Sequence, residues 1–215
     1  MNRLTGQSSE SLAVRVRSEI GRMLALAMPL ILTNIFIAGM GMADTIMAGR
    51  ISADDLAAIA LGSSGIWMPV FLFGMGILLA ISPTVAHLYG AGNLRDIGKE
   101  ARQGFWLSQV VAWPLLYVAR NTQGFLAYLG IEPEVIALTD GYLEAVAWGL
   151  PFMYAYFVLR YISEGIGYTK PIMLMSFIGF TVNVIGNYVL MFSKLGFPAM
   201  GAIGCGWASA ITMMM

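Results

Sequence analysis

The chain has 215 residues, of which 58% are hydrophobic and 11% charged, with a mean hydropathy of +0.75 and a formal net charge of zero. That balance excludes a soluble globular domain and marks an all-α polytopic membrane protein, and zero net charge leaves nucleic acid no electrostatic footprint. One cysteine, Cys205, closes no intrachain disulfide and builds no thiolate metal site.

Residues 1–22 are polar, lack an apolar run with a small-residue cleavage site, and read as a cytoplasmic amino-terminal lead-in. Residues 23–215 read as one transmembrane lobe of about six helices. Met23 to Ala43 is uncharged and predicts the first. Leu56 to Leu94 is longer than one span, so an outer loop followed by a second helix ending near Leu88 is expected. Gln103 to Ala119 predicts a third, extended toward Leu129, and Tyr142 to Leu159 a fourth that tolerates Glu144 near its start. Pro171 to Ser193 is a fifth. After the loop KLGFPAMG a sixth starts at about Ala202, and by Met215 it covers roughly 21 Å of the ~30 Å hydrocarbon core, an incomplete span.

Basic residues concentrate on the cytoplasmic side of short loops. The lead-in holds Arg3, Arg15, Arg17 and Arg22, the loop after the second helix holds Arg95, Lys99 and Arg102, and the loop after the fourth holds Arg160 and Lys170. The opposite loops hold Arg50, Arg120 and Lys194 and collect Asp54, Asp55, Glu132, Glu134 and Asp140. A cytoplasmic amino terminus is therefore expected.

With that topology Asp44, six residues before Arg50, sits about 9 Å below the outer end of the first helix. Intramembrane carboxylates are rare and face a cavity or a pathway more often than lipid, although an interfacial acid that snorkels to water is the plainer reading. Six residues rotate Arg50 by about 240°, so it is not the helical partner of Asp44; Thr33, Ile37 and Met40 share the Asp44 face. Something on another helix must solvate the acid. Asn183 and Asn187, four apart in FTVNVIGNYVLMF, lie on one face of the fifth helix. Two amides there can act as packing glue between helices. Beside a carboxylate they also form a hard-oxygen cage suited to a small cation, and a desolvated carboxylate is equally suited to accept a proton. Na⁺ at Asp44, Asn183 and Asn187, or H⁺ at Asp44, are both open.

Pro29 and Asp44, the string MADTIMAGRISADDLAAIALGSS, the loop GIGYTKPIM, the Asn183 and Asn187 pair and the segment GAIGCGWASA together resemble the amino-terminal half of a multidrug and toxin extrusion (MATE) transporter of the NorM type. The resemblance runs from about Leu24 to the end of the chain. It implies a twelve-helix antiporter of two six-helix lobes in the bacterial inner membrane. Such a carrier exports cationic and amphipathic drugs in exchange for Na⁺ or H⁺ by alternating access, with no cofactor beyond the coupling ion. This chain would be the first lobe, with the carboxy-terminal lobe missing. Asp44 matches the essential acid of the first helix, Asn183 and Asn187 the polar pair of the fifth, and Pro29 a candidate hinge. Relatives resembling the DinF branch carry a carboxylate at the position of Asn187, which favours the NorM assignment.

Other residues have plainer readings. Thr33, Met40 and Tyr154 are candidate cavity-lining residues, and Trp148 and Tyr156 could join Tyr154 against flat cations, but aromatics also serve belts and helix packing. His87 is an interfacial histidine, Glu164 a loop partner for Arg160 or Lys170, and Gly204 with Ala208 a small-residue seam. An intramembrane hydrolase lacks a nucleophile with its base, and an ATP-driven pump lacks a phosphate-binding loop. The alternatives left open are an inactive truncated product, a non-transport membrane scaffold, and a lipid-linked-precursor flippase of the wider superfamily.

Overall fold

The structure, a computed structural model, describes residues 4–193, 196 and 198–215; for residues 4–15 and 22 it describes the backbone only. Of the residues used to orient the chain, Arg3 and Lys194 lie outside the described residues, as do the side chains of Arg15 and Arg22. The described chain is helical throughout, in the order α1 (Leu4–Ala48), α2 (Ala53–Ala60), a π-helical segment (Leu61–Trp67), α3 (Met68–Leu78), α4 (Ile81–Gly90), α5 (Leu94–Ala119), α6 (Gln123–Tyr128), α7 (Pro133–Ala147), α8 (Leu150–Gly165), α9 (Lys170–Met191) and α10 (Gly201–Met214).

Three expectations need correction. The loop expected at the start of Leu56 to Leu94 is absent: after a turn at residues 49–52, Ser52 caps α2, its hydroxyl accepting the Asp55 amide at 2.9 Å, and the chain stays helical from Ala53 to Gly90. Within this stretch lies the π-helical segment LGSSGIW, whose small residues let Gly62 lie against the Tyr142 ring, where a Cβ would come within 2.7 Å. The third span grows toward its amino-terminal side and stops at Ala119, because Arg120 to Thr122 turn the chain before α6. The fourth is a pair, α7 and α8, bent by 48° where Trp148 and Gly149 precede Pro151.

Three stretches, 16–48, 53–90 and 170–191, are long and apolar enough to cross a membrane, and the bent α7–α8 pair makes a fourth. α5 spans 26 residues with a charged first half, and α10 is a shorter apolar helix of 14. α1 is continuous from Leu4 to Ala48, so residues 4–22 of the lead-in are helical and run directly into the first span.

α10 is the centre of one half of the bundle. It packs between α7 and α9, while α9 packs on α1; in the other half α8 rests on α4 and α5. Glycines permit this closeness. A Cβ on Gly204 would come within 2.8 Å of the Leu190 carbonyl oxygen on α9, and one on Gly186 within 3.0 Å of Ala208 Cβ. The Gly204 and Ala208 seam thus faces α9. Tyr154 ties the other half, its buried hydroxyl donating to the Val70 carbonyl at 2.7 Å. Outward, Met23, Leu24, Met28, Ile31, Ile35 and Met42 of α1 are exposed, an apolar face that lipid or protein must cover in a membrane.

Candidate cation site

Asp44 lies one turn before the end of α1, and Asn183 and Asn187 lie on the buried face of α9, at 2% and 0% exposure. The α1–α9 packing brings the three together. The Asn187 amide donates from Nδ2 to Asp44 Oδ1 at 2.5 Å and to Asn183 Oδ1 at 3.3 Å, and Asn183 Nδ2 donates to Ser209 Oγ of α10 at 3.4 Å. A carboxylate is therefore wired through two amides to a hydroxyl, on three helices that are otherwise apolar there.

The chain of bonds leaves one atom over. Asn187 Oδ1 is buried and has no hydrogen-bond partner, and an orphaned acceptor of that kind ordinarily carries a penalty of about 1–3 kcal/mol. An acceptor oxygen with nothing to accept, one side chain from a carboxylate, offers oxygen ligands of the type a small cation takes. The donor set is all hard oxygen: Asp44, Asn187 and Asn183 with Ser209 at the edge, which fits Na⁺ and equally leaves Asp44 open to a proton. Among the described residues no cluster of three or more His, Cys, Asp and Glu side chains gathers.

The other expected site residues are placed as follows. Thr33 is fully buried on α1, and its hydroxyl donates to the Pro29 carbonyl at 2.9 Å. That bond helps satisfy the backbone around a proline, and α1 runs through Pro29 without interruption. Met40 is half-buried one turn before Asp44. Tyr154 of α8 is fully buried against α3, its hydroxyl donating to the Val70 carbonyl inside the helix packing. Trp148 lies beneath Arg120, whose guanidinium carbon is 5.1 Å from the ring centroid and which also pairs with Glu144. Arg160 pairs with Glu164 at 2.8 Å, as the plain reading of Glu164 expected.

Two contributors escaped the sequence reading. Ser209 ends the hydrogen-bond chain, and the buried Cys205, one turn before it, lies within electrostatic reach of Asp44. The available signal was a serine one turn from the lone cysteine on a helix of small residues. Near the carboxy-terminal ends of α1 and α9, a cavity of about 320 Å³ is lined by Met47, Arg50, Tyr188 and Phe192.

The MatE family model matches residues 29–189, which contain both halves of this site. The chain is 42% identical over 193 residues to the multidrug resistance protein MdtK of Yersinia pestis (strain Pestoides F), covering 89% of this chain and 42% of the relative. It is 40% identical over 197 residues to the multidrug resistance protein NorM of Aliivibrio fischeri (strain ATCC 700601 / ES114), covering 92% of this chain and 43% of the relative. The chain thus spans less than half the length of these curated relatives. Its fold superposes on the crystal structure of the eukaryotic MATE transporter AtDTX14 with a TM-score of 0.83 at 18% identity, over 92% of this chain and 43% of that one, the extent of one lobe. With the matched segment taking in Pro29, Asp44, Asn183 and Asn187, the chain belongs to the MatE family, the multidrug and toxin extrusion transporters.

Proposed function

We propose that this chain is the amino-terminal lobe of a multidrug exporter of the bacterial inner membrane, in which a cation, Na⁺ or H⁺, enters at Asp44 and drives the expulsion of amphipathic or cationic drugs. The observation that carries the reading is the bonded pair of Asp44 and Asn187 with the amide oxygen of Asn187 left without a partner. A cation arriving there gains a carboxylate and at least one amide oxygen. Its arrival must break or redirect the 2.5 Å bond between α1 and α9. The helices that hold the site are thereby coupled to its occupancy, which is what an exchange cycle requires. The basic residues at the loops near Arg95 and Lys170 support a cytoplasmic amino terminus, with the first helix running outward from it.

Alternating access needs two walls that rock about a site between them, and this lobe supplies one. The second lobe is the proposed partner. Residues 1–215 expressed by themselves in a strain stripped of its own pumps should insert in the membrane and give no drug resistance. A chain that also carries a second lobe, as the relatives do, should give efflux of a fluorescent cation from vesicles under an imposed Na⁺ or proton gradient. Resistance from residues 1–215 by themselves, at matched expression, would refute the two-lobe reading, and efflux that ignores both gradients would refute the coupling.

A further inference from the structure

Asp55 is 8% exposed at the start of α2, although charge counting assigns it to an outer loop. Its two oxygens are both engaged. Oδ2 accepts the Ser52 hydroxyl at 2.7 Å, and Oδ1 accepts the backbone N–H of Ala202, in the first turn of α10, at 2.7 Å. The first N–H groups of a helix have no partner of their own, and a carboxylate satisfies them while complementing the positive end of the helix. Gly201 makes room for it. Its φ is +51°, and a Cβ there would fall on the Asp55 carboxylate, so both the backbone conformation and the space call for glycine.

The consequence lies about two helical turns away, at Ser209. α1, the turn at residues 49–52 and α2 form one corner of the fold, and α9 with α10 forms another. Asp44 holds the first corner to α9 through Asn187, and Asp55 holds it to α10 through Ala202. The circuit closes inside, where Asn183 of α9 donates to Ser209 of α10. Sliding or rotating α10 would move Ser209 and Cys205 away from Asn183 and Asp44. α10 brings both side chains to that side of the site.

We infer that Asp55 is a positioning residue for the cation site, a clasp on the first turn of α10 that sets where Ser209 and Cys205 stand against Asn183 and Asp44. The inference rests on the proposed cation coupling for its functional half and on geometry for the rest. The lone cysteine offers a direct probe, because Cys205 is buried behind the clasp.

The test uses the full transporter carrying this lobe, with Cys205 as its only cysteine, and reads two quantities. The first is the rate at which a small membrane-permeant maleimide labels Cys205. Removing a buried hydrogen bond to a charged acceptor favours local opening by about tenfold or more, so Asp55→Ala should label about tenfold faster than wild type. Asp55→Asn keeps an acceptor oxygen and should fall between them; it decides the comparison where the alanine variant does not insert. Asp54→Ala, an exposed neighbour, should label at the wild-type rate. The second quantity is the half-saturating cation concentration for efflux, which should rise about tenfold in Asp55→Ala with the maximal rate largely kept, as for groups that orient ion ligands without touching the ion. Unchanged labelling in Asp55→Ala and Asp55→Asn overturns the clasp, whatever the transport data show. Fast labelling with an unchanged half-saturation overturns the positioning role. A wild-type transporter that ignores both cations sinks the coupling proposal instead, and the labelling rates then still decide the clasp.

Discussion

Asn187 Nδ2 stands 2.5 Å from Asp44 Oδ1, across 143 positions of sequence, and the same amide leaves its own oxygen buried without a partner. The pair is satisfied on its nitrogen side and open on its oxygen side. A site of that kind responds to the charge on the acid, since the donor bond is strong only while Asp44 is ionised and a cation competes with it directly.

Asp44→Asn follows from this. The amide is near-isosteric and removes the charge, so insertion and folding should persist while gradient-driven efflux falls by about two orders of magnitude, the consequence of losing the one carboxylate at an ion site. Vesicle efflux of a fluorescent cation measures it. Wild-type rates in a well-folded Asp44→Asn variant would make Asp44 an interfacial carboxylate.

Asn187→Ala should weaken coupling less than Asp44→Asn does. It removes the donor to Asp44 and the free amide oxygen together but leaves the acid in place, and an orienting or auxiliary ligand is worth about 10–100-fold in ion affinity. The half-saturating cation concentration should rise within that range at a similar maximal rate. A variant indistinguishable from wild type would remove α9 from the site.

Gly206→Ala should loosen the α10–α7 contact, because a Cβ there would come within 2.6 Å of the Tyr142 carbonyl oxygen and neither backbone can give way cheaply. Overpacking of this kind destabilises by about 1–3 kcal/mol. Thermal unfolding in detergent, followed by intrinsic fluorescence, should show a lower midpoint for Gly206→Ala. Gly76→Ala, where nothing lies within 4 Å, should leave the midpoint unchanged or raise it.

Tyr154→Phe leaves the Val70 carbonyl without the hydroxyl it accepts in a buried place, at a penalty of about 1 kcal/mol. Stability should fall by that amount while the drug range stays the same, since the ring is fully buried in the helix packing. A changed drug profile at unchanged stability would return Tyr154 to a cavity wall.

Topology is testable with cysteines at exposed positions, in a background where Cys205 is alanine. Asn93→Cys should react with an impermeant thiol reagent only from the cytoplasm, and Asp54→Cys and Glu132→Cys only from outside. Ser52 is unsuitable as a probe because its hydroxyl caps α2 and holds Asp55. Outside labelling of Asn93→Cys would invert the lobe.

Apolar length and charge placement follow from composition, so the sequence by itself determined the helical membrane class, the approximate spans, the isolation of Asp44 and the shared face of Asn183 and Asn187. Helical periodicity reports which residues share a face, not which faces meet. The tertiary structure decided the rest. Only packing could bring α9 against α1 and give Asp44 its amide, place Ser209 at the end of the chain of bonds, and draw Tyr154 into the core. The π-helical segment after α2 and the 48° bend between α7 and α8 were hidden for the same reason, since glycines such as Gly62 and Gly149 permit these departures while their neighbours impose them. Asp55 is the sharpest case. Charge counting placed it in an outer loop, and its burial depends on the first turn of α10, with a bare glycine and an unpaired N–H, arriving 147 residues later in the chain to receive it.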